Sequence, residues 1–269
     1  MPNKPVFIFS AGWRSGSTLL QRLLTASKEL LIWGEAGGAL DCLADADLGY
    51  QQMLAPGNEV FKHGLGGNGK QQFMEFCNPD KQGVHRWIPC MNPPIETIRE
   101  AFKDFLRKTY QEPATKLGYG RWGVKEVRCG IETAVFLRTL YPDAKFVFLV
   151  RNPIDCLSSL KRHNWMDRPH DKHALEYYAQ HWVKLASEFR RAQFGMLVRH
   201  EDLISDQNAL TKLRDYLEIT ELDSSFVENS RVKGGVKSDS ALSWMERHRA
   251  KKIVWDEMYN HGYESSKRG

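Results

Sequence analysis

Apolar residues in this chain fall into short unbroken runs separated by stretches in which leucines and aromatics recur every three or four positions. Val6-Phe7-Ile8-Phe9, Leu30-Leu31-Ile32-Trp33, residues 121–126, Lys145 to Val150 and residues 194–199 are too short and too flanked by breakers to be helices, so each predicts a buried strand. The intervening stretches predict helices. One starts at Ser17-Thr18 with Leu19, Leu20, Leu23 and Leu24 on one face, and an acidic one (Asp41, Asp45, Asp47) spans about residues 39–48. Others cover residues 94–110, 130–141, the stretch after Asn152-Pro153, then 172–191 and 207–216, with a Trp-rich amphipathic helix at the end. Strand alternating with helix predicts an α/β fold, a central parallel sheet with helices on both faces.

The alternation fails in one region. Pro56-Gly57, Gly64 to Gly69, Pro79, Gly83 and Pro89 to Pro94 break every periodicity, so residues 41–117 read as a loop-rich helical insert that caps a ligand site, with Trp87 and Met91 as apolar contacts. The acids of residues 39–48 fit a solvated helix face better than a trap for a cationic acceptor. With no internal repeat and 269 residues, the chain predicts one domain over residues 1–269.

Composition narrows the classes. Hydrophobic residues make up 42% and charged ones 26%, which excludes a disordered chain. A net charge of +5 favours a multiply charged anionic ligand and falls short of the concentrated basic face of a nucleic-acid binder. Five cysteines, odd in number and without a CxxC pair, predict reduced thiols in a cytoplasmic protein. The spacing of Cys77, His85 and Cys90 fits no standard zinc pattern. No apolar stretch approaches the roughly 18 residues of a membrane span, and no signal precedes the first strand, so no membrane partner is expected.

The chemistry concentrates where the first strand turns into the first helix. Trp13-Arg14-Ser15-Gly16-Ser17-Thr18 combines a glycine that lets the backbone bend, hydroxyls on either side and the free N–H groups of a helix start, which together hold an anion. A kinase or ATPase loop carries Lys before its Ser or Thr to reach the β- and γ-phosphates; here Ser17 stands in that place and the cation is Arg14. The strand to Val150 ends in Arg151-Asn152-Pro153 rather than in an Asp that would hold a metal. Both signatures of metal-assisted phosphoryl transfer are missing, and no metal is expected.

Two motifs in this order carry a resemblance. Arg14-Ser15-Gly16-Ser17-Thr18 after a strand resembles the 5′-phosphosulfate loop of sulfotransferases that use 3′-phosphoadenosine 5′-phosphosulfate (PAPS), and residues 146–160 resemble their 3′-phosphate motif, with Arg151 and Ser159 at its binding positions. The resemblance implies a P-loop-like α/β/α fold, PAPS as donor and a small-molecule acceptor. It gives Lys125, at the end of a strand, the contact with the sulfuryl group and the bridging oxygen. Glu35, after Gly34, stands where protein-tyrosine sulfotransferases have two consecutive acids, and takes the role of base; Trp33 beside it and the Ala-Gly-Gly turn after it form a setting that raises a carboxyl pKa. Placement in the first turn of a helix explains the same Glu35 equally simply, and an ion pair with Glu126 explains Lys125. His200 stands where relatives place a tyrosine against the adenine. His163 stands where some have a second Arg, for which Arg162 could substitute. Arg231, Lys233 and Gly234 resemble a late loop that closes over the 3′-phosphate, or form a flexible basic linker. A nucleotide kinase and a non-catalytic nucleotide-binding protein of the same fold remain the alternatives, and the oligomeric state is not legible.

Overall fold

The computed structural model describes residues 4–54, 93–166, 173–222 and 241–265. Five strands form one sheet: β1 Val6–Ser10, β2 Leu30–Trp33, β3 Arg121–Glu126, β4 Lys145–Val150 and β5 Met196–Arg199. Their order is β2-β3-β1-β4-β5, and every pairing is parallel. Strands covered on both faces need apolar side chains at successive positions, which is why they read as unbroken runs; all five residues of β1 are buried.

The two faces divide the chain into layers. Phe7 and Phe9 of β1 point with Trp122, Phe146 and Phe148 into one core, against α2 (Ala39–Leu54), α5 (Ile131–Leu140), α7 (Ala174–Arg191) and α10 (Trp244–Asn260). Val6 and Ile8 point the other way with Ile32, Val147 and Leu149, against α1 (Ser17–Ala26) and α9 (Gln207–Leu217). The expected three-layer architecture is present, and β1 at the centre places its carboxyl end between those of β3 and β4.

Several boundaries differ from the sequence expectation. Helix α2 continues to Leu54 instead of stopping near Leu48. Two of its three acids are not a solvated face: Asp47 is buried and takes Arg99 of α3 (Ile95–Leu106) at 2.7 and 2.9 Å, and Asp41 accepts from Thr133 of α5. Beyond α3 the chain does not stop at Tyr110. It passes through a π-helical turn, Arg107–Gln111, into α4, Glu112–Lys116. The wider turn makes room for Pro113, whose ring would otherwise meet the carbonyl four residues back. The strand expected from Phe194 starts at Met196, and residues from His200 form a short helix, α8 (His200–Ser205). Helix α6 (Pro153–Arg162) begins at its proline, with Asn152 accepting from the Ile154 amide at 3.0 Å. Cys42, Cys129 and Cys156 are free thiols. Cys77, His85, Trp87, Cys90 and Met91 lie outside the described residues, as do residues 55–92 in all, about half of the expected insert.

Candidate active site

The loop between β1 and α1 is shaped by backbone sterics. Gly12, Arg14 and Gly16 have φ of 81°, 63° and 90°, in the left-handed region. A Cβ on Gly16 would drive into the ring of His200, so glycine is required there twice over, by conformation and by space. Gly16 is also the N-cap of α1 and has no side chain to close the helix start, so first-turn N–H groups are left for another acceptor. Ser15 is fully buried, and its hydroxyl has no partner among the described residues.

Arg14 is the one non-glycine in that left-handed stretch, a conformation that costs about 1–2 kcal/mol. Its carbonyl is held by the second motif: Arg151 Nη1 donates to it at 3.0 Å, and Cys156 Sγ lies 3.7 Å away. Its side chain reaches the same motif, with Nε donating to Ser159 Oγ at 3.0 Å and Nη2 3.4 Å from His163 Nε2. His163 Nδ1 lies 2.8 Å from the Ser159 carbonyl; donating there leaves Nε2 as the acceptor for Arg14. Arg14, Arg151 and Ser159, far apart in sequence, thus form one cluster, and the Nε of Arg151 is buried with no partner among the described residues.

The expected catalytic pair also meets. Lys125 Nζ, on a nearly buried side chain, lies 2.8 Å from Glu35 Oε1, so its partner is Glu35 and not Glu126. Arg128 Nη2 stands 3.7 Å from the other oxygen of Glu35. The apolar setting expected for Glu35 is therefore a cationic one, because the end of β3 and the loop after it bring two bases to the carboxylate. Arg128 lies 5.6 Å over the ring of Trp13, one residue before Arg14, which joins this pair to the anion loop.

Sequence reasoning missed Arg128, Glu126 and the wall around Trp13, where Tyr178 and His181 pack at 5.2 and 5.0 Å. Burial lowers the pKa of His181, and burial raises that of Glu126. None of these follows a spacing rule; each is brought in by the sheet order. The His200 ring is buried under Gly16, where desolvation, then Arg151, push its pKa down to about 4. It supports the loop from below. Arg231, Lys233 and Gly234 lie outside the described residues. Beside Arg128 opens a cavity of about 610 Å³ between α2, α3 and α5, with Asp45, Glu132 and Lys184 among its lining residues.

The fold is similar to that of the sulfotransferase domain from the curacin biosynthetic pathway, at 18% identity and a TM-score of 0.53, covering 98% of this chain and 99% of that one. It is also similar to the sulfotransferase domain from the Synechococcus PCC 7002 olefin synthase, at 16% identity and a TM-score of 0.52, covering 98% and 96%. No curated protein sequence matches. A model of the sulfotransferase family matches residues 5–223, which hold every strand and both anion motifs. The chain belongs to the sulfotransferase family.

Proposed function

We propose that the protein transfers a sulfuryl group from PAPS to a hydroxyl, or a nitrogen, of a small-molecule acceptor by in-line displacement. The observation that carries this reading is the contact of the two motifs through Arg14, with Arg151 on its carbonyl and Ser159 on its guanidinium, both at 3.0 Å. Arginines that converge on one spot with partnerless buried polar atoms, Ser15 Oγ and Arg151 Nε, suit a ligand that carries phosphate at two positions. Ser15, Gly16, Ser17 and Thr18 would take the 5′ end at the start of α1, and Arg151 and Ser159 the 3′-phosphate. PAPS fits this donor set and supplies the sulfuryl group, leaving as 3′-phosphoadenosine 5′-phosphate (PAP).

The chain's own residues account for the rest. Lys125 and Arg14 face the negative charge that grows on the leaving phosphate, which stabilises the transition state more than the ground state. Glu35 takes the acceptor's proton. Lys125 holds Glu35 at 2.8 Å and, with three N–H donors on its ammonium, has others left for the donor's leaving oxygen while it keeps the base in place. The cavity lined by Arg128, whose guanidinium stands 3.7 Å from Glu35, is the acceptor's approach. No metal is needed in this scheme, since cations of the protein stand where charge develops. Residues 1–269 form one sulfotransferase domain with residues 41–117 on the acceptor side, and an odd number of cysteines without a CxxC pair suits a cytoplasmic setting. Among the described residues no helix is long and apolar enough to cross a membrane.

Family membership removes the nucleotide kinase alternative. Calorimetry tests the reading: PAP is expected to bind at micromolar concentration without magnesium, and Mg²⁺–ATP much more weakly. Tight Mg²⁺–ATP binding with none for PAP would overturn it, as would failure to transfer label from PAPS in a screen of phenols, alcohols and amines.

A further inference from the structure

The backbone that carries Glu35 has few ties of its own. The β2–β3 ladder ends at Trp33 opposite Val124, and the chain then runs through Gly34, Glu35 and Ala36 to Gly37 and Gly38, with φ of 65° and 92°. Nothing lies within 4 Å of the position a Cβ would take on any of these three glycines. Such a segment has wide conformational freedom, yet a base has to be held to a fraction of an ångström.

Strand β3 continues where β2 stops. Lys125 and Glu126 stay in register with Ile8 and Phe9 of β1, which fixes their backbone, while on the other side no strand lies beside them among the described residues. Their side chains take the place of the missing ladder. Lys125 Nζ pairs with the Glu35 carboxylate at 2.8 Å, and Glu126 Oε1 accepts the Ala36 N–H at 2.6 Å. Two consecutive residues of a rigid strand therefore grip two consecutive residues of a loose one. Glu126 is 1% exposed, and its Oε2 has no partner among the described residues. A buried carboxyl with one oxygen unbonded is costly, and the bond that its other oxygen makes is to the Ala36 amide.

The geometry points to Glu126 as a positioning residue for sulfuryl transfer, whose carboxyl oxygen anchors the Ala36 amide and through it sets Glu35 against Lys125. This rests on Glu35 as the base. It separates reach from charge: Glu126→Gln keeps an acceptor oxygen at the same reach and loses the charge, whereas Glu126→Asp keeps the charge and withdraws the oxygen by one methylene.

The test uses the full chain, labelled PAPS and 2-naphthol as the acceptor probe, with amide exchange at Ala36 and calorimetry of PAP alongside. Expected for Glu126→Gln is a kcat within about 3-fold of wild type and slow exchange at Ala36. Expected for Glu126→Asp is a loss of about 100-fold in kcat, the cost of a displacement near 1 Å, with faster exchange at Ala36 and an unchanged Kd for PAP. In a Glu35→Gln background the Asp substitution should cost nothing more, because it acts through a base already removed. Should Glu126→Asp not fold, Ala36→Pro deletes the amide donor itself and carries the same expectation for kcat and PAP. Loss of activity in Glu126→Gln would show that the charge is what matters and overturn the proposal, as would additive losses in the double variant or exchange at Ala36 that ignores Glu126. Full activity in Glu35→Gln, or no transfer by wild type, would sink the base reading instead, and the exchange at Ala36 would still decide whether Glu126 holds the segment.

Discussion

At the scale of single residues, His200 shows what packing does to the chemistry of a side chain whose position is legible in sequence. It follows β5, and there Gly16 leaves a space that the ring fills from below, so the imidazole is buried beside Arg151. Its pKa of about 4 when folded lies below the ordinary 6.5, so the unfolded chain takes up the proton first as pH falls. The stability that neutral His200 contributes is complete above pH 6.5 and is lost progressively between about 6.5 and 4, up to about 3 kcal/mol. His181 and His261 are shifted the same way by burial and add to the acid sensitivity. Urea titrations at pH 7 and 4.5 should therefore show a smaller acid loss in His200→Gln than in wild type; equal losses would place the titration elsewhere. Arg14, Lys125 and Glu35 were legible because each stands at the end of a recognisable strand. Glu126 and Arg128 were not, since no spacing tells which way a side chain at a strand end will turn.

At the scale of elements, the strands were easy to read and the helices on the insert side were not. A strand buried on both faces announces itself as an apolar run, whereas α2 mixes acids with leucines and its burial depends on partners the sequence does not name. Asp47 shows the consequence. It is 2% exposed and bonded to both Arg99 and Gln51, so the acidic pattern is here a tie between α2 and α3. Removing one partner strands the other: Asp47→Ala is expected to cost about 2–3 kcal/mol, below the full penalty of a buried pair because Arg99 keeps some solvent contact. Asp45, exposed on the same helix, should cost less than about 0.5 kcal/mol when changed to Ala. Equal melting temperatures for the two variants would mean that the Asp47–Arg99 contact does not hold these helices together. The π-helical turn before Pro113 was illegible for a related reason: local rules end a helix near a proline, and only packing against β3 shows that it continues.

At the scale of the whole molecule, the sheet order is what assembles the site, and it is the feature the sequence reveals least. Parallel strands look alike one at a time, and nothing in their composition places β1 between β3 and β4. That placement brings the Lys125 end, the Arg14 loop and the Arg151 turn side by side, so a ligand can touch all three without any strand bending toward it. If the Arg151 end reads a phosphate that the Arg14 loop does not, the two ends should be separable by a ligand and a side chain together. PAP and 5′-AMP differ only by the 3′-phosphate. Wild type is expected to bind PAP about 10- to 100-fold more tightly, the worth of one or two charge-assisted hydrogen bonds. In Arg151→Met that ratio should fall toward one, mainly through weaker PAP binding, while the affinity for 5′-AMP changes by no more than about 3-fold. Arg151 also steadies the Arg14 carbonyl, so a uniform loss for both ligands is the competing outcome; it would mean that Arg151 serves the loop and that the 3′-phosphate is read elsewhere.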